Sequence, residues 1–443
     1  MNKNKLYRCY QLFLAWFIVG FSCLPARAFD IQTVISKNGI EAWLVEDHQV
    51  PIFSMAIGFK NISPDPSDKL GLKSFSMSVI ADAAGDKNYL AFQQKLEELG
   101  IELSARSGHD NITISVRGLS KFRSQTFDLI RDVLVAARFD DADVERTREQ
   151  YYSYFRRLQE SPAAIASQNW DKMFFANHPY GRPLYGTAET IARITQADLK
   201  DFAKKNLNRR HMLVVVVGDI TPSELADLLD KTFKQLPVAD EVSLWETPIL
   251  NKTGIFYQPM RSSQTAIVFG HAGISREDPD YMVGYVLNEI MGAGGFSSRL
   301  MQKIRVENGL TYGISTTFYS LNYAHLLLGS LTTAAENTDR VIELIRTEWH
   351  KMGEEGPSQA ELDLAKTHLI GSFPLRFDNT RSTASALLGL RLIGYDKDYV
   401  THQRQQLIEK ITLNDAKRVA KRLFQKENLF FTIVGPTKPQ SVK

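Results

Sequence analysis

The chain has 443 residues, of which 53 are Lys or Arg and 50 are Asp or Glu, so its formal net charge is only +3. Because the charged residues are interspersed along the chain, the composition argues against a nucleic-acid-binding protein. The length predicts two domains or three.

The first 28 residues have the pattern of a secretory signal. A basic start is followed by an apolar core at residues 12–24 and by an Ala-Arg-Ala cleavage site that ends at Ala28. The apolar core is shorter than the roughly 20 residues that span a bilayer. We therefore expect an exported protein, periplasmic in a Gram-negative bacterium, with no membrane span after cleavage. The alternative is an uncleaved membrane anchor.

Both cysteines, Cys9 and Cys23, lie inside this predicted signal. The mature chain would then have neither a disulfide nor a thiolate metal site.

The first half of the mature chain alternates strand and helix patterns. Residues 39–58 show apolar alternation around a turn, which predicts a β-hairpin. A helix is predicted from Gly71 to about Asp82. The later predicted elements are a helix at 92–99, strands at 101–105 and 111–116, helices at 122–138, 144–158 and 188–206, and a buried strand at 212–217.

The second half repeats part of the first. An Ile-Thr pair, a downstream Asp and Lys, and an apolar strand occupy residues 194–218 and recur 217 positions later, at residues 411–435. A constant offset over this length indicates duplication. We predict two homologous domains at 29–240 and 256–443, joined by a linker at 241–255. Their element order predicts an α+β fold with helices packed against largely antiparallel sheets.

Three further motifs have a recognisable order. They are HPYGRPLYGT at residues 178–187, GGFSSRL at 294–300, and Ile304-Arg305 followed by Gly309-Leu310-x-Tyr312. With the helix that starts at Gly71, this set resembles the pitrilysin/insulinase-like zinc metallopeptidases, the inverzincins, over essentially the whole mature chain. The resemblance implies two domains that form a clam-like half-chamber.

The resemblance also implies that the helix from Gly71 is a degenerate zinc helix. In the family this helix carries His-x-x-Glu-His, in which two histidines bind zinc and the glutamate activates water. Here Ser74 and Ser78 match the histidines, Met77 matches the glutamate, and Tyr154 matches a third ligand further along the chain. Hydroxyls are poor zinc ligands and a thioether accepts no proton. We therefore expect no metal and no cofactor in this chain.

The family's Arg-Tyr pair is kept. Arg305 and Tyr312 match two groups that, in the family, hydrogen-bond the substrate backbone beside the scissile bond, and both side chains can donate to a carbonyl oxygen. The structural alternative is that Arg305 is a solvated helix residue and Tyr312 a core aromatic.

A substrate-binding edge strand is the second retained feature. Leu103, Ser104 and Ala105 resemble the family strand to which a peptide adds as an extra strand. The alternative is an ordinary edge strand that Arg106 protects from association.

These patterns predict a non-catalytic, substrate-binding subunit of an exported heterodimeric zinc metallopeptidase that degrades unfolded peptides. Its expected partner is a homologous, motif-bearing peptidase subunit that holds the zinc, and Arg305 and Tyr312 would complete that partner's active site. One alternative is a peptide-binding or scaffold protein with no role in hydrolysis. Another is an independent hydrolase with remodelled chemistry.

Two other chemistries have weaker support. The Gly-rich run at residues 292–295 lacks the Lys-Ser/Thr of a phosphate-binding loop. Ser74 or Ser78 could pair with His109 as nucleophile and base, but the chain lacks a G-x-S-x-G elbow there.

Overall fold

The computed structural model describes residues 30–238 and 245–440. The predicted signal at 1–28 and residues 241–244 of the predicted linker lie outside these ranges. The strands are β1 (Gln32–Ile35), β2 (Glu41–Glu46), β3 (Ile52–Lys60), β4 (Glu102–Ser107), β5 (Asn111–Leu119), β6 (Met212–Gly218), β7 (Gly254–Pro259), β8 (Gln264–Ala272), β9 (Thr311–Ser320), β10 (His325–Ala334) and β11 (Phe430–Gly435).

The helices separate these strands into groups. Those of the first half are α1 (Leu72–Val79), α2 (Tyr89–Leu99), α3 (Arg123–Val135), α4 (Asp141–Gln159), α5 (Pro162–Phe174), α6 (Ala188–Ala192), α7 (Gln196–Asn206) and α8 (Pro222–Phe233). Those of the second half are α9 (Tyr281–Asn288), α10 (Thr338–Glu355), α11 (Gln359–Ser372), α12 (Thr380–Leu392), α13 (Arg404–Glu409) and α14 (Leu413–Leu423).

The strands form a six-stranded sheet and a five-stranded sheet, and the two share one topology over five strands. Their orders are β1-β2-β6-β3-β5-β4 and β7-β11-β8-β10-β9, so every strand of the second sheet has a counterpart in the first. In each sheet one pair is parallel, β2 with β6 and β7 with β11, and the other pairs are antiparallel. Each sheet has its own large hydrophobic core. The predicted α+β class, the duplication and the two domains are thereby confirmed.

The predicted hairpin at residues 39–58 is wrong in its pairing. The two strands exist as β2 and β3, but β6 lies between them, parallel to β2 and antiparallel to β3. Local alternation indicates that a segment is a strand and which face is buried; it does not specify which distant strand pairs with it.

The helix predicted at residues 188–206 is two helices, because the chain turns at Thr195. The Thr195 side chain accepts the amide of Asp198, and the Asp198 carboxylate accepts the Thr195 amide at 2.9 Å. Such reciprocal caps start a helix. The same cap links Thr412 and Asp415 at the start of α14, as the repeat predicts.

The two domains exchange a helix. Helix α12, from the second half, buries Leu387 and Leu388 against Trp43 and Val215 of the first sheet. Helix α5, from the first half, covers the second sheet, where the Thr432 hydroxyl donates to the Ala166 carbonyl oxygen at 2.7 Å. Both helices have 13 residues and occupy equivalent places in the repeat. Neither helix was predicted from the sequence.

The described end of the predicted linker, from Trp245 on, forms no helix or strand before β7 starts at Gly254. The Trp245 ring lies 5.0 Å from that of Tyr180 and 5.9 Å from that of Tyr323, centroid to centroid. Within residues 30–238 and 245–440, no helix combines the length and apolarity needed to cross a membrane.

Candidate functional site

Helix α1 is positioned by its N-terminal end. Gly71 has a φ of 88°, and the Asp65 carboxylate accepts the amides of Gly71 at 2.9 Å and Lys73 at 3.1 Å. A Cβ at Gly71 would lie 2.5 Å from the carbonyl oxygen of Tyr185, so glycine is required both for the backbone angle and for close packing. The HPYGRP motif segment therefore lies directly against the start of α1.

The two serines that match the family's zinc-ligand positions are held by protein contacts. The Ser74 hydroxyl donates to the Leu184 carbonyl oxygen at 2.7 Å and lies 2.8 Å from the Ser107 hydroxyl at the end of β4. The Ser78 hydroxyl lies 3.0 Å from the Tyr151 hydroxyl. Met77, at the position of the family's glutamate, is 2% exposed and belongs to the hydrophobic core.

Tyr154 lies in an aromatic cluster on α4. Its half-buried ring is 5.3 Å from the Tyr185 ring, while Tyr151, one turn earlier, is the residue whose hydroxyl meets Ser78. The Tyr151 ring is also 5.1 Å from Phe75 in α1. Burial raises the pKa of both phenols, Tyr151 and Tyr154, above the ordinary value, so both stay protonated at neutral pH. Sequence reasoning did not single out Tyr151.

This set of side chains does not fit a zinc ion. Ser74, Ser78 and Tyr154 offer neutral hydroxyl groups, whereas zinc sites use imidazole, thiolate or carboxylate groups. In the described ranges, no group of three or more His, Cys, Asp or Glu residues is arranged to hold a metal. We therefore assign no zinc chemistry to α1.

The serine-nucleophile alternative also lacks its geometry. His109 lies beside α1, but its ring packs on Tyr180 at 5.4 Å, and its carbonyl oxygen accepts the Lys73 ammonium at 2.5 Å. Burial lowers the pKa of His109 to about 4. The Ser74 hydroxyl is engaged with Ser107 and Leu184, so no nucleophile–base pair joins these residues.

Lys73 is a buried cation that the sequence analysis missed. It is 3% exposed on the α1 turn that contains Ser74, and the carboxylates of Asp65 and Asp110 are its opposite charges. Burial lowers its pKa, while these two carboxylates oppose that shift. A lysine among the apolar residues of α1 was the available signal.

Asp110 also joins the two domains. Its carboxylate accepts the Tyr180 hydroxyl at 2.6 Å and the backbone amide of Asn322, from the β9–β10 turn, at 2.8 Å. Tyr180 belongs to the HPYGRP motif and contacts Trp245. The motif thus holds the domain interface together as well as packing on α1.

The predicted substrate strand lies at the edge of the first sheet. β4, which contains Leu103, Ser104 and Ala105, pairs with β5 on one side, and in the described sheet its other side has no neighbouring strand. Leu103 and Ala105 pack against the core, whereas Ser104 is exposed on the opposite face. The strand therefore has main-chain groups available for an added strand.

Tyr312 is presented by a β-bulge. Opposite Leu331 to Thr333 of β10, β9 carries one extra residue, and the irregularity lies at Tyr312 and Gly313. The Thr311 hydroxyl fixes the bulge, since it lies 2.7 Å from the Thr332 carbonyl oxygen and accepts the Gly313 amide at 3.1 Å. Tyr312 is 83% exposed. Bulges commonly redirect a side chain in this way.

Arg305 precedes the bulge on a π-helical segment, Met301–Val306. The backbone turns back after it, since the Arg305 carbonyl oxygen accepts the Gly309 amide at 2.9 Å. The guanidinium lies 4.6 Å from the ring centroid of Phe296, which is itself 59% exposed. Arg305 is thus half-buried and Tyr312 is not a core aromatic.

The Gly-rich run at residues 292–295 is partly helical. A π-helical segment, Glu289–Ala293, continues α9, and a Cβ at Gly292 would lie 2.4 Å from the Thr316 hydroxyl. Gly292 therefore allows α9 to pack closely on β9. The first part of the run is therefore helical.

Taken together, the two-domain fold and the altered α1 helix define an inactive relative of the two-domain zinc metallopeptidases. Two family models match the chain: "Insulinase (Peptidase family M16)" at residues 65–188 and "Peptidase M16 inactive domain" at residues 193–369. Between them they match more than half of its length, and the chain belongs to peptidase family M16.

Individual relatives agree with this assignment. A Helicobacter pylori protein named "Non-peptidase homolog YmxG" is 25% identical over 96% of this chain and 99% of its own length. The beta subunit of the Neurospora crassa mitochondrial-processing peptidase is 22% identical over 77% of this chain and 74% of its own length. A Pseudomonas fluorescens structure described as a peptidase M16 inactive domain has a TM-score of 0.86 and 26% identity, covering 93% of this chain and 99% of that one. Similarity to these proteins over most of the chain agrees with its assignment to the family.

Proposed function

We propose that this chain is the substrate-binding, non-catalytic subunit of an exported heterodimeric zinc metallopeptidase that degrades unfolded peptides. Its signal at residues 1–28 would direct export, to the periplasm in a Gram-negative bacterium. Its partner would be a homologous subunit with an intact His-x-x-Glu-His helix.

The observation that carries the proposal is the exposed Tyr312 on a fixed bulge in a chain whose α1 has no zinc ligands. A phenol that is 83% exposed contributes little to the fold. Nevertheless, the Thr311 hydroxyl bonds to the backbone on both sides of the bulge. A pure scaffold would have no chemical need for this arrangement.

Two relatives support a role in an assembly. The Neurospora protein is named as a subunit of a processing peptidase. A complex III structure from Candida albicans contains a chain of the same fold, with a TM-score of 0.75 over 92% of this chain and 96% of that chain. The name of the Helicobacter relative excludes peptidase activity from that protein itself.

This chain would bind and orient the substrate. An extended peptide would add to β4 at Leu103, Ser104 and Ala105 through main-chain hydrogen bonds. The Arg305 guanidinium and the Tyr312 phenol would donate hydrogen bonds to the substrate carbonyl oxygen, steadying negative charge that develops there. The partner's zinc would supply the activated water.

The test is reconstitution with a motif-bearing homologue encoded beside this chain. Each protein is purified and assayed for cleavage of an unstructured peptide, alone and mixed. We expect cleavage only in the mixture, and we expect Arg305→Ala and Tyr312→Phe each to lower its kcat/KM by about 10- to 1,000-fold, the range for lost oxyanion donors.

Two matched variants control for structural damage. Lys303→Ala changes a cation on the same π-helical segment as Arg305, and Tyr319→Phe removes a phenol hydroxyl from the same strand as Tyr312. Both should leave kcat/KM within about twofold of the unmodified mixture. Cleavage by this chain alone would refute the proposal. Stable peptide binding without any contribution to cleavage would instead support the scaffold alternative.

A further inference from the structure

The helix exchange leaves one open cleft on each sheet. In the first domain α12 covers β3 and β6, and a cleft of about 260 Å³ remains between α12 and the edge strand β4. In the second domain α5 covers β8 and β11, and a cleft of about 690 Å³ remains above β9 and β10. The two clefts are counterparts in the repeat, so they allow a comparison within one molecule.

The two clefts differ in charge. Three arginines and one glutamate line the first cleft: Arg106, Arg117, Arg381 and Glu102. No charged residue lines the second, which has aliphatic, glycine, serine and threonine residues. Since the same architecture exists without charge, the arginines are not required by the exchange of helices.

Arg106 is the arginine of the first cleft that has no acidic partner among the described residues. The Glu102 carboxylate is already paired, with Arg117 at 3.1 Å and with Arg381 across the cleft. Arg106 is exposed, and in the described ranges its side chain forms no hydrogen bond or ion pair. An exposed arginine that lines a cleft and has no acidic partner attracts an anionic group.

Arg106 lies on the face of β4 over which side chains of a peptide added to β4 would extend. Side chains alternate along a strand, so Glu102, Ser104 and Arg106 face the cleft while Leu103 and Ala105 face the core. A peptide added beside β4 has the same alternation, and every second side chain would extend over the cleft.

We propose that this cleft is a specificity site that binds an acidic side chain of an extended peptide, with the carboxylate on Arg106 and the peptide main chain on β4. This rests on the proposed function, because it takes β4 as the peptide-binding strand. The substrate class that follows is an unfolded segment with an Asp or Glu whose side chain lies over Arg106.

The test compares two labelled, unstructured peptides that differ only in Glu or Gln at alternate positions. Fluorescence polarisation gives the Kd of each for the purified chain. We expect the Glu peptide to bind about three- to tenfold more tightly, the range for a partly solvated charge-assisted contact, and we expect added salt to reduce the difference.

Three variants test whether Arg106 causes the difference in Kd between the two peptides. Arg106→Gln should reduce the discrimination between the peptides to less than about twofold, and Arg106→Lys should restore part of it. Arg261→Gln is the matched control, since it removes the same charge from an exposed site between β7 and β8 and should leave the discrimination unchanged.

The outcomes separate the two proposals. Equal binding of the two peptides by the unmodified chain, or unchanged discrimination in Arg106→Gln, would refute the acidic-side-chain site while leaving peptide binding intact. Failure of the chain to bind either peptide would refute β4 as a peptide-binding strand and, with it, the proposed function.

Discussion

Exchange of α5 and α12 should make the two domains unfold as one unit, and Leu387→Ala tests this. Leu387 is fully buried between α12 and the first sheet, in the cluster that contains Trp43 and Val215. The substitution removes the equivalent of three buried methylene groups, worth roughly 2.4 kcal/mol in transfer free energy. The cavity left between helix and sheet adds to this, so the free energy of unfolding should fall by about 3 kcal/mol.

The assay is urea denaturation followed by circular dichroism, with hydrogen exchange read separately for β6 in the first sheet and β8 in the second. We expect one transition at a lower urea midpoint, with faster exchange in both sheets, because α12 belongs to one domain and stabilises the other. Leu364→Ala on α11, where the side chain is 56% exposed, should change stability by no more than about 0.5 kcal/mol. Faster exchange confined to one sheet would refute the coupling.

Two further predictions concern the bulge at Tyr312 and the ion pair between Arg299 and Glu361 in the second domain. Thr311→Val removes the hydroxyl that fixes the bulge at Tyr312. The free energy of unfolding should fall by about 1–2 kcal/mol, and kcat/KM of the reconstituted mixture should fall as with Tyr312→Phe. Thr317→Val, at an exposed position of the same strand, should change neither quantity. Burial would raise the pKa of Glu361, but hydrogen bonds from Arg299 and Ser358 outweigh it and lower the pKa to about 2. Since the folded-state pKa is below the ordinary value of 4.5, this stabilisation is complete above pH 4.5 and is lost as the pH falls toward 2. Glu361→Gln should therefore lower the free energy of unfolding by about 1–2 kcal/mol at pH 7, allowing for partial solvation. This difference from the unmodified chain should shrink as the pH falls from 4.5 toward 2. A difference that stays constant over this pH range would contradict the prediction.

The repeat could be predicted from the sequence because its signals are local. Thr195 and Thr412 each start a capped helix before a strand of apolar residues, and the equivalent sheet topologies confirm the duplication. The edge position of β4 was also predicted correctly.

The arrangement of the elements could not be predicted, because it depends on contacts between distant segments. The insertion of β6 between β2 and β3 and the exchange of α5 and α12 are properties of the folded chain. For α5 a local signal did exist, since Ser161 caps the helix and Pro162 is its first residue.

The sequence matched Ser74, Ser78 and Tyr154 to the family's zinc-ligand positions, but it did not indicate the contacts that these side chains make. The Ser74–Ser107 and Ser78–Tyr151 contacts join α1 to β4 and α4. They depend on three segments that meet only in the fold. Likewise, the exposure of Tyr312 could not be predicted from the sequence, although Gly313 beside it was a sign of the bulge.

Zinc stoichiometry of the reconstituted pair distinguishes a non-catalytic subunit from an independent zinc enzyme. The two proteins are purified separately, combined, isolated as a complex by size exclusion, and analysed by mass spectrometry for bound zinc per chain. We predict one zinc for each pair, contributed by the motif-bearing partner, and none on this chain when it is isolated alone. One tightly bound zinc on this chain in isolation would refute its assignment as the non-catalytic subunit.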